Sequence, residues 1–136
     1  ELLVAQSLTP AVLDETGYRV VGGLWMDLYT GETLSDAGSI DIDHVVPLRY
    51  AWDLGAENWS AEKANAFYND PANLVITCAS VNRSKGSDPP PEWLPPAWGF
   101  QCVYLRQFEA VLARYDLTQP PDETARMTAL ATAVCN

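Results

Sequence analysis

The chain has 136 residues, and 48% of them are hydrophobic. This length suits one domain, residues 1–136, with a core of its own, and the five Trp and six Tyr argue against disorder. No apolar run approaches the length that a bilayer requires, so we expect no membrane partner. The formal net charge of −10 at pH 7 disfavours binding to nucleic acid through a basic surface, although a metal ion would supply local positive charge.

The N-terminal part of the chain is predicted to hold a short helix and a β-hairpin. The helix is expected around Ala11–Glu15. Tyr18–Val21 and Leu24–Leu28 have strand patterns, and Gly22-Gly23 between them is a hairpin signal. Tyr29–Glu32 is then predicted to turn the chain.

The middle of the chain is predicted to alternate short strands with short helices. Ser60 is a good N-cap for one of these helices, and Pro47 ends the first strand. In chain order the elements are a strand at Ser39–Val46, a helix at Tyr50–Leu54, a helix at Ala61–Tyr68, a strand at Asn73–Thr77 and a helix at Ala79–Lys85.

The C-terminal part is predicted to be a helical hairpin that follows a Pro-rich connector. Apolar residues at helical spacing indicate a helix over Gln101–Tyr115, and Pro120–Glu123 opens a last helix. If these helices are antiparallel, Cys102 and Cys135 come together and can form a disulfide, which would imply an oxidising compartment. The alternative is that these two thiols and Cys78 are all reduced and buried.

The only histidine, His44, lies in Asp41-Ile-Asp-His-Val-Val-Pro-Leu48. Imidazole is the side chain best suited to act as a general base near neutrality. Carboxylate and Asn oxygens, from residues such as Asp43 and Asn82, are hard donors that suit Mg²⁺ or Mn²⁺. A base beside such an ion meets the needs of phosphodiester hydrolysis. The alternative is that His44 is a hydrogen-bonded core residue of a strand and has no catalytic role.

These residues resemble a known motif. Asp41–Leu48, Asn73-Leu74 and Asn82–Gly86 are similar to the ββα-metal motif of HNH endonucleases. The closest similarity is to small HNH proteins, many of them secreted, related to the HNH region of GmrSD-type restriction enzymes. Further similarity to that group, from about residue 17 onward, is carried by Trp25–Glu32, Ala51-Trp52, Gly55-Ala56, Trp59, Asn69–Pro71, Trp93–Pro96, Cys102 and Cys135.

The resemblance implies a role for each site residue. His44 matches the general base that activates water, and Asn73 matches the Asn that holds the loop and orients this base. Asp43 and Asn82 match the protein ligands of one divalent ion. Asp41 lies on the same strand face as Asp43 and is a candidate outer ligand of the metal.

Two basic residues follow the motif. Arg83 and Lys85 are candidate phosphate contacts, with ordinary solvated charges as the alternative. The chain has no second histidine and no Cys pair for structural zinc, so it is an H-N-N variant in which Mg²⁺ or Mn²⁺ is favoured over zinc.

The resemblance also implies the fold class and the location. We expect an α+β fold with a ββα-metal core at about 39–87, an N-terminal hairpin and C-terminal helices at about 100–136. No signal peptide is recognisable at Glu1–Val4, which is consistent with a mature or trimmed chain, and a secreted, extracellular protein is expected.

The leading functional prediction is a metal-dependent endonuclease that cleaves DNA, with RNA as a second substrate, at low sequence specificity. It is expected to be a monomer, and its acidic surface is a candidate face for an inhibitor protein. The alternatives are a non-catalytic binding protein on an HNH scaffold and a Ca²⁺-stabilised structural domain.

Overall fold

A computed structural model describes residues 1–136. The fold is α+β, with a three-stranded and a two-stranded antiparallel sheet and two long C-terminal helices. None of the helices combines the length and hydrophobicity that crossing a bilayer demands. The elements in chain order are α1 (Leu2–Gln6), β1 (Val12–Leu13), β2 (Val20–Asp27), β3 (Glu32–Asp36), β4 (Ile40–His44), α2 (Leu48–Asp53), α3 (Ala61–Tyr68), β5 (Leu74–Cys78), α4 (Ala79–Lys85), α5 (Gln101–Arg114) and α6 (Pro121–Val134).

The predicted N-terminal helix at Ala11–Glu15 is wrong. The helix in this region is α1, and Val12–Leu13 instead pairs with β2 as an edge strand. The main-chain N–H of Leu8 donates to the oxygen of Leu24, so the segment that follows α1 is held along β2. Tertiary pairing of the backbone here outweighs the weak local helical signal.

The predicted hairpin at Gly22-Gly23 is also wrong, because β2 runs straight through both glycines. The chain turns after β2, where Gly31 has a φ of +80°, as the sequence indicated. Gly23 is needed because the side chains of Ser7 and Trp25 approach its backbone closely, and it does not form a turn. A Cβ atom there would lie 2.6 Å from Oγ of Ser7 and 2.8 Å from the ring of Trp25.

The second sheet and the helix after it position the predicted site. β4 and β5 are antiparallel in a register that pairs Ile40 with Cys78 and His44 with Leu74. α4 follows β5 directly and packs against both strands. The order of these elements is therefore strand, strand, helix, with α2 and α3 inserted between the strands.

The main core lies between this unit and the C-terminal helical hairpin. The helical spacing predicted for α5 is confirmed, since Leu105, Phe108 and Leu112 are all buried in the core cluster. The predicted disulfide between Cys102 and Cys135 is also present and joins the start of α5 to the end of α6.

The Pro-rich connector before α5 is held by one of its tryptophans. The ring of Trp93 packs edge-on against Tyr29 and Tyr104, at centroid distances of 5.3 Å and 5.9 Å. Trp98 is 82% exposed. Of these two tryptophans, only Trp93 therefore packs against the core.

Candidate active site

An open cleft of about 420 Å³ lies where the end of β4, the start of α2 and the end of α4 meet. It brings together three of the predicted site residues, Asp43, His44 and Asn82. The residues that line it are Ile42, Asp43, His44, Pro47, Leu48, Arg49, Asn82, Gly86 and Ser87.

His44 is half-buried and is oriented by the main chain of α3. Its Nε2 atom lies 2.9 Å from the main-chain oxygen of Tyr68. Because a carbonyl oxygen only accepts hydrogen bonds, Nε2 must carry the proton of the neutral ring, and the lone pair lies on Nδ1. The rings of Tyr68 and Phe67 lie 5.1 Å and 6.5 Å from the imidazole centroid. The arrangement therefore offers Nδ1 as a base in a fixed ring.

Asp43 is 7% exposed and its carboxylate is held from two sides. The hydroxyl of Tyr29 donates to Oδ2 at 2.7 Å, and Nζ of Lys85 lies 3.1 Å from the same atom. Burial, with the nearby charge of Asp43, raises the pKa of Tyr29 well above its usual value. Tyr29 therefore stays protonated and remains a donor to this carboxylate.

Lys85 does not lie where the sequence predicted a phosphate contact. Its side chain is fully buried, and Nζ also donates to the main-chain oxygen of His44 at 2.9 Å. Burial lowers the pKa of the Lys85 ammonium, and the charge of Asp43 opposes that shift. The sequence could not show that this lysine, at the last turn of α4, faces β4 instead of solvent.

The two arginines near the site also differ from the expectation. Arg83 is exposed but does not line the cleft. Arg49, which the sequence reading missed, does line it and forms an exposed ion pair with Asp53 at 3.2 Å. The sequence could have indicated this position, because Arg49 lies in the first turn of the helix that follows Pro47.

Asn82 reaches from α4 to β4. Its Nδ2 donates to Oδ2 of Asp41 at 2.9 Å. A carboxylate only accepts, so this bond determines which way the amide points and leaves Oδ1 of Asn82 as a free oxygen donor. Asp41 does not line the cleft, and its observed contact is with Asn82.

Asn73 is fully buried and holds the segment after His44. Its Oδ1 accepts from the N–H of Val46 at 2.8 Å, and its Nδ2 donates to the oxygen of Val46 at 3.2 Å. Its main-chain oxygen accepts from Val45 at 2.9 Å. These three bonds hold Val45 and Val46, the two residues that directly follow His44 at the end of β4.

Asp27 is a buried acid that the sequence reading did not single out. It accepts hydrogen bonds from Oγ1 of Thr77 at 2.8 Å, from the N–H of Cys78 at 3.1 Å and from the N–H of Tyr29 at 3.0 Å. Asp27 therefore joins the first sheet to β5 and orients Tyr29 toward Asp43. The sequence could have indicated that Asp27 is buried, because it lies two residues after Trp25 and therefore on the same face of the strand.

The donor chemistry of the cleft suits a hard cation. No three His, Cys, Asp or Glu side chains are grouped closely enough to hold a metal ion. The carboxylate of Asp43 and the free Oδ1 of Asn82 are two oxygen donors on one cleft, and Mg²⁺ is commonly held by one or two protein oxygens with retained waters. This donor set fits such an ion.

Comparisons with known proteins agree with the resemblance seen in the sequence. A curated relative from Arthroderma benhamiae, described as an uncharacterized secreted protein, is 37% identical over 110 residues, which is 79% of this chain and 54% of the relative. This chain therefore spans about half the length of that relative. No solved structure matches.

The secreted relative and the Cys102–Cys135 disulfide both support the extracellular location predicted from the sequence. The family described as GmrSD restriction endonucleases, C-terminal domain, matches residues 17–130, which is most of the chain. This protein belongs to that nuclease-related family.

Proposed function

We propose that this protein is an extracellular, metal-dependent endonuclease that hydrolyses phosphodiester bonds of DNA, with RNA as a second substrate and little sequence specificity. The observation that carries the proposal is the hydrogen bond from His44 to the main-chain oxygen of Tyr68. It leaves Nδ1 of His44 as a base on a cleft that also presents oxygen donors from Asp43 and Asn82.

In this reaction His44 removes a proton from the attacking water. The neutral imidazole accepts that proton at Nδ1, while its Nε2–H stays bonded to Tyr68 and keeps the ring in place. Asn73 holds the residues that follow His44 in place through its hydrogen bonds to Val46.

Asp43 and Asn82 would hold the divalent ion, Mg²⁺ or Mn²⁺. When bound, the ion supplies positive charge that stabilises the phosphorane-like transition state and the leaving oxygen. Tyr29 and Lys85 hold the Asp43 carboxylate, and Asp41 holds the Asn82 amide in its orientation. These contacts would keep the side chains of Asp43 and Asn82 in the orientation that binds the ion.

Arg49 is the cation best placed to contact a substrate phosphate, because it lines the cleft and is largely exposed. Arg83 lies outside the cleft and would contact the strand only further along. Lys85, being buried, takes no part in phosphate contact. We propose that the protein acts as a monomer and that its acidic surface is the face that an inhibitor protein would bind.

The test is plasmid cleavage by the purified chain with Mg²⁺, with Mn²⁺ and with EDTA. We expect nicking with either metal and none with EDTA. His44→Ala should abolish nicking while thermal unfolding stays close to that of the unmodified protein. Asn82→Ala should also lose activity, whereas the matched change at an exposed helical position, Asn65→Ala, should not. Sustained cleavage by His44→Ala protein would refute the assignment.

A second candidate is a non-catalytic binding protein on the same scaffold. It is favoured by the ion pair that already neutralises Asp43 and by the net charge of −10, which opposes binding of a polyanion. The same assay separates the two, because a binding protein would not nick plasmid with any metal.

A further inference from the structure

A second hollow, with no charged lining, lies between α2 and α3. Each helix contributes three apolar residues at positions i, i+3 and i+4, the spacing that places side chains on one helix face. They are Leu48, Ala51 and Trp52 from α2 and Ala64, Phe67 and Tyr68 from α3, with Ala56 and Trp59 closing one end. The volume is about 180 Å³.

The shape of this pocket comes from small residues among large aromatic ones. Alanines at positions 51, 56 and 64 leave space that larger side chains would fill. Trp52 is 53% exposed and Tyr68 is 55% exposed, so aromatic surface is open to solvent. An apolar cavity of roughly 150 Å³ holds benzene; the size is therefore suited to a single flat ring system.

The pocket adjoins the candidate active site. Leu48 lines both the pocket and the cleft. Tyr68 lines the pocket, and its main-chain oxygen accepts the hydrogen bond that orients His44. A group bound in the pocket would therefore lie directly beside the residue proposed to activate water.

We infer that this pocket binds one unstacked nucleobase of a single-stranded nucleic acid next to the phosphate that is cleaved. The inference rests on the proposed function and adds to it a preference for single-stranded over duplex nucleic acid. Bases have flat, uncharged faces that stack on aromatic side chains whatever the sequence. Bases inside a duplex are already stacked and are not available without being extruded.

The negative charge of the protein limits which contacts could hold this occupant. With a net charge of −10, the chain attracts a phosphate backbone weakly at best, so affinity for a strand has to come from uncharged contacts. Lys63 lies close to the pocket, with its Nζ 4.8 Å from the ring centroid of Trp59. It can pair with a flanking phosphate without placing charge inside the pocket.

The experiment measures binding in EDTA, where metal-dependent cleavage is absent. Fluorescein-labelled single strands of about eight nucleotides, within the site size of single-strand binders, are titrated with the chain and followed by anisotropy. DNA and RNA strands of the same sequence are compared with a blunt DNA duplex. Single strands should bind more tightly than the duplex. A difference in affinity between the DNA and the RNA strand will show which of the two sugars the protein prefers.

Two variants test the pocket itself. Trp52→Ala removes a stacking face, and Ala64→Leu fills the hollow from an exposed helical position. Each should weaken single-strand binding roughly 5- to 100-fold, the range for loss of one stacked base. The control is Trp98→Ala, which removes another exposed tryptophan, 82% exposed against 53% for Trp52, that does not line the pocket. It should leave the affinity unchanged.

Two results would overturn the inference. One is that the unmodified chain has no detectable affinity for single strands, or that both pocket variants, shown to be folded by urea unfolding, bind single strands as tightly as the unmodified chain does. The other is a dimer of the unmodified chain, seen by light scattering, that Trp52→Ala dissociates, because a second copy would then be the occupant. Loss of binding in the variants of a chain that never cleaves plasmid would uphold the pocket and reject only the nuclease proposal.

Discussion

Nζ of Lys85 lies 3.1 Å from Oδ2 of Asp43, with the lysine fully buried and the aspartate side chain 8% exposed. This ion pair joins the last turn of α4 to β4. It gives a buried carboxylate the compensating charge that burial demands. It also means that the acid proposed to hold a divalent ion is positioned before any ion arrives.

Removal of this lysine charge should strongly destabilise the fold. Lys85→Met leaves the Asp43 carboxylate buried and unpaired, which typically costs about 3–5 kcal/mol. The free energy of unfolding in urea measures the effect. Arg83→Met, on the exposed side of the same helix, is the control and should change stability by less than about 0.5 kcal/mol. Equal stabilities of the two variants would contradict the role given to the ion pair.

Tyr29 should influence metal binding without touching the metal. Tyr29→Phe removes the hydroxyl that donates to Asp43 at 2.7 Å, so the carboxylate loses one of the groups that orient it. Loss of such an outer contact commonly weakens metal affinity about 10- to 100-fold. Calorimetric titration with Mn²⁺ measures this. Tyr18→Phe, at a 94% exposed position, should bind Mn²⁺ like the unmodified chain, and an equal affinity in Tyr29→Phe would disprove the coupling.

The disulfide should contribute substantially to stability. Cys102 and Cys135 are separated by 33 positions, and closing a loop of that size stabilises a protein by about 3–4 kcal/mol in the chain-entropy description. The double variant Cys102→Ser/Cys135→Ser should therefore unfold at a clearly lower urea concentration. Dithiothreitol should lower the midpoint of the unmodified chain but not that of the double variant. Cys78→Ser, at the free cysteine, is the control and should keep the reductant response of the unmodified chain.

Tyr115 should contribute stability that depends on pH. Burial alone would raise the pKa of the Asp70 carboxyl, but hydrogen bonds from Tyr115 and from the Ala72 N–H, with the charge of Arg114, lower it below its usual value of 3.8. A lowered pKa in the folded state means that the stabilisation is present above the unfolded-state value and is lost as the pH falls through the folded-state value.

Tyr115→Phe should accordingly cost about 1.5–3 kcal/mol at pH 7, since its hydroxyl donates to the Asp70 carboxylate at 2.6 Å. The difference from the unmodified chain should shrink as the pH falls from about 4, the ordinary pKa of the unfolded-state carboxyl, through the lower pKa of the folded state. Urea unfolding at pH 7 and at pH 3 measures both values. A difference that stays constant over this range would show that the bond does not depend on the charge of Asp70.

Local patterns in the sequence were sufficient for several elements. Ser60 accepts from the N–H of Lys63 as an N-cap should, and α4 occupies Ala79–Lys85 as predicted. The N-terminal region was predicted poorly because its structure depends on distant partners. Gly23 is required by the approach of Ser7 and Trp25, a contact that no local pattern contains.

For the site, the amino-acid sequence by itself determined which chemical groups are available: one imidazole, an acid beside it and asparagines downstream at motif spacing. Their order along the chain was enough to place them in a strand, strand, helix unit. Only the tertiary structure decided what each group faces. In the folded chain Lys85 is buried against Asp43, Arg49 lines the cleft, and the main-chain oxygen of Tyr68 is hydrogen-bonded to His44. The physical reason is that burial and hydrogen-bond partners depend on contacts between residues far apart in sequence, which composition and spacing do not specify.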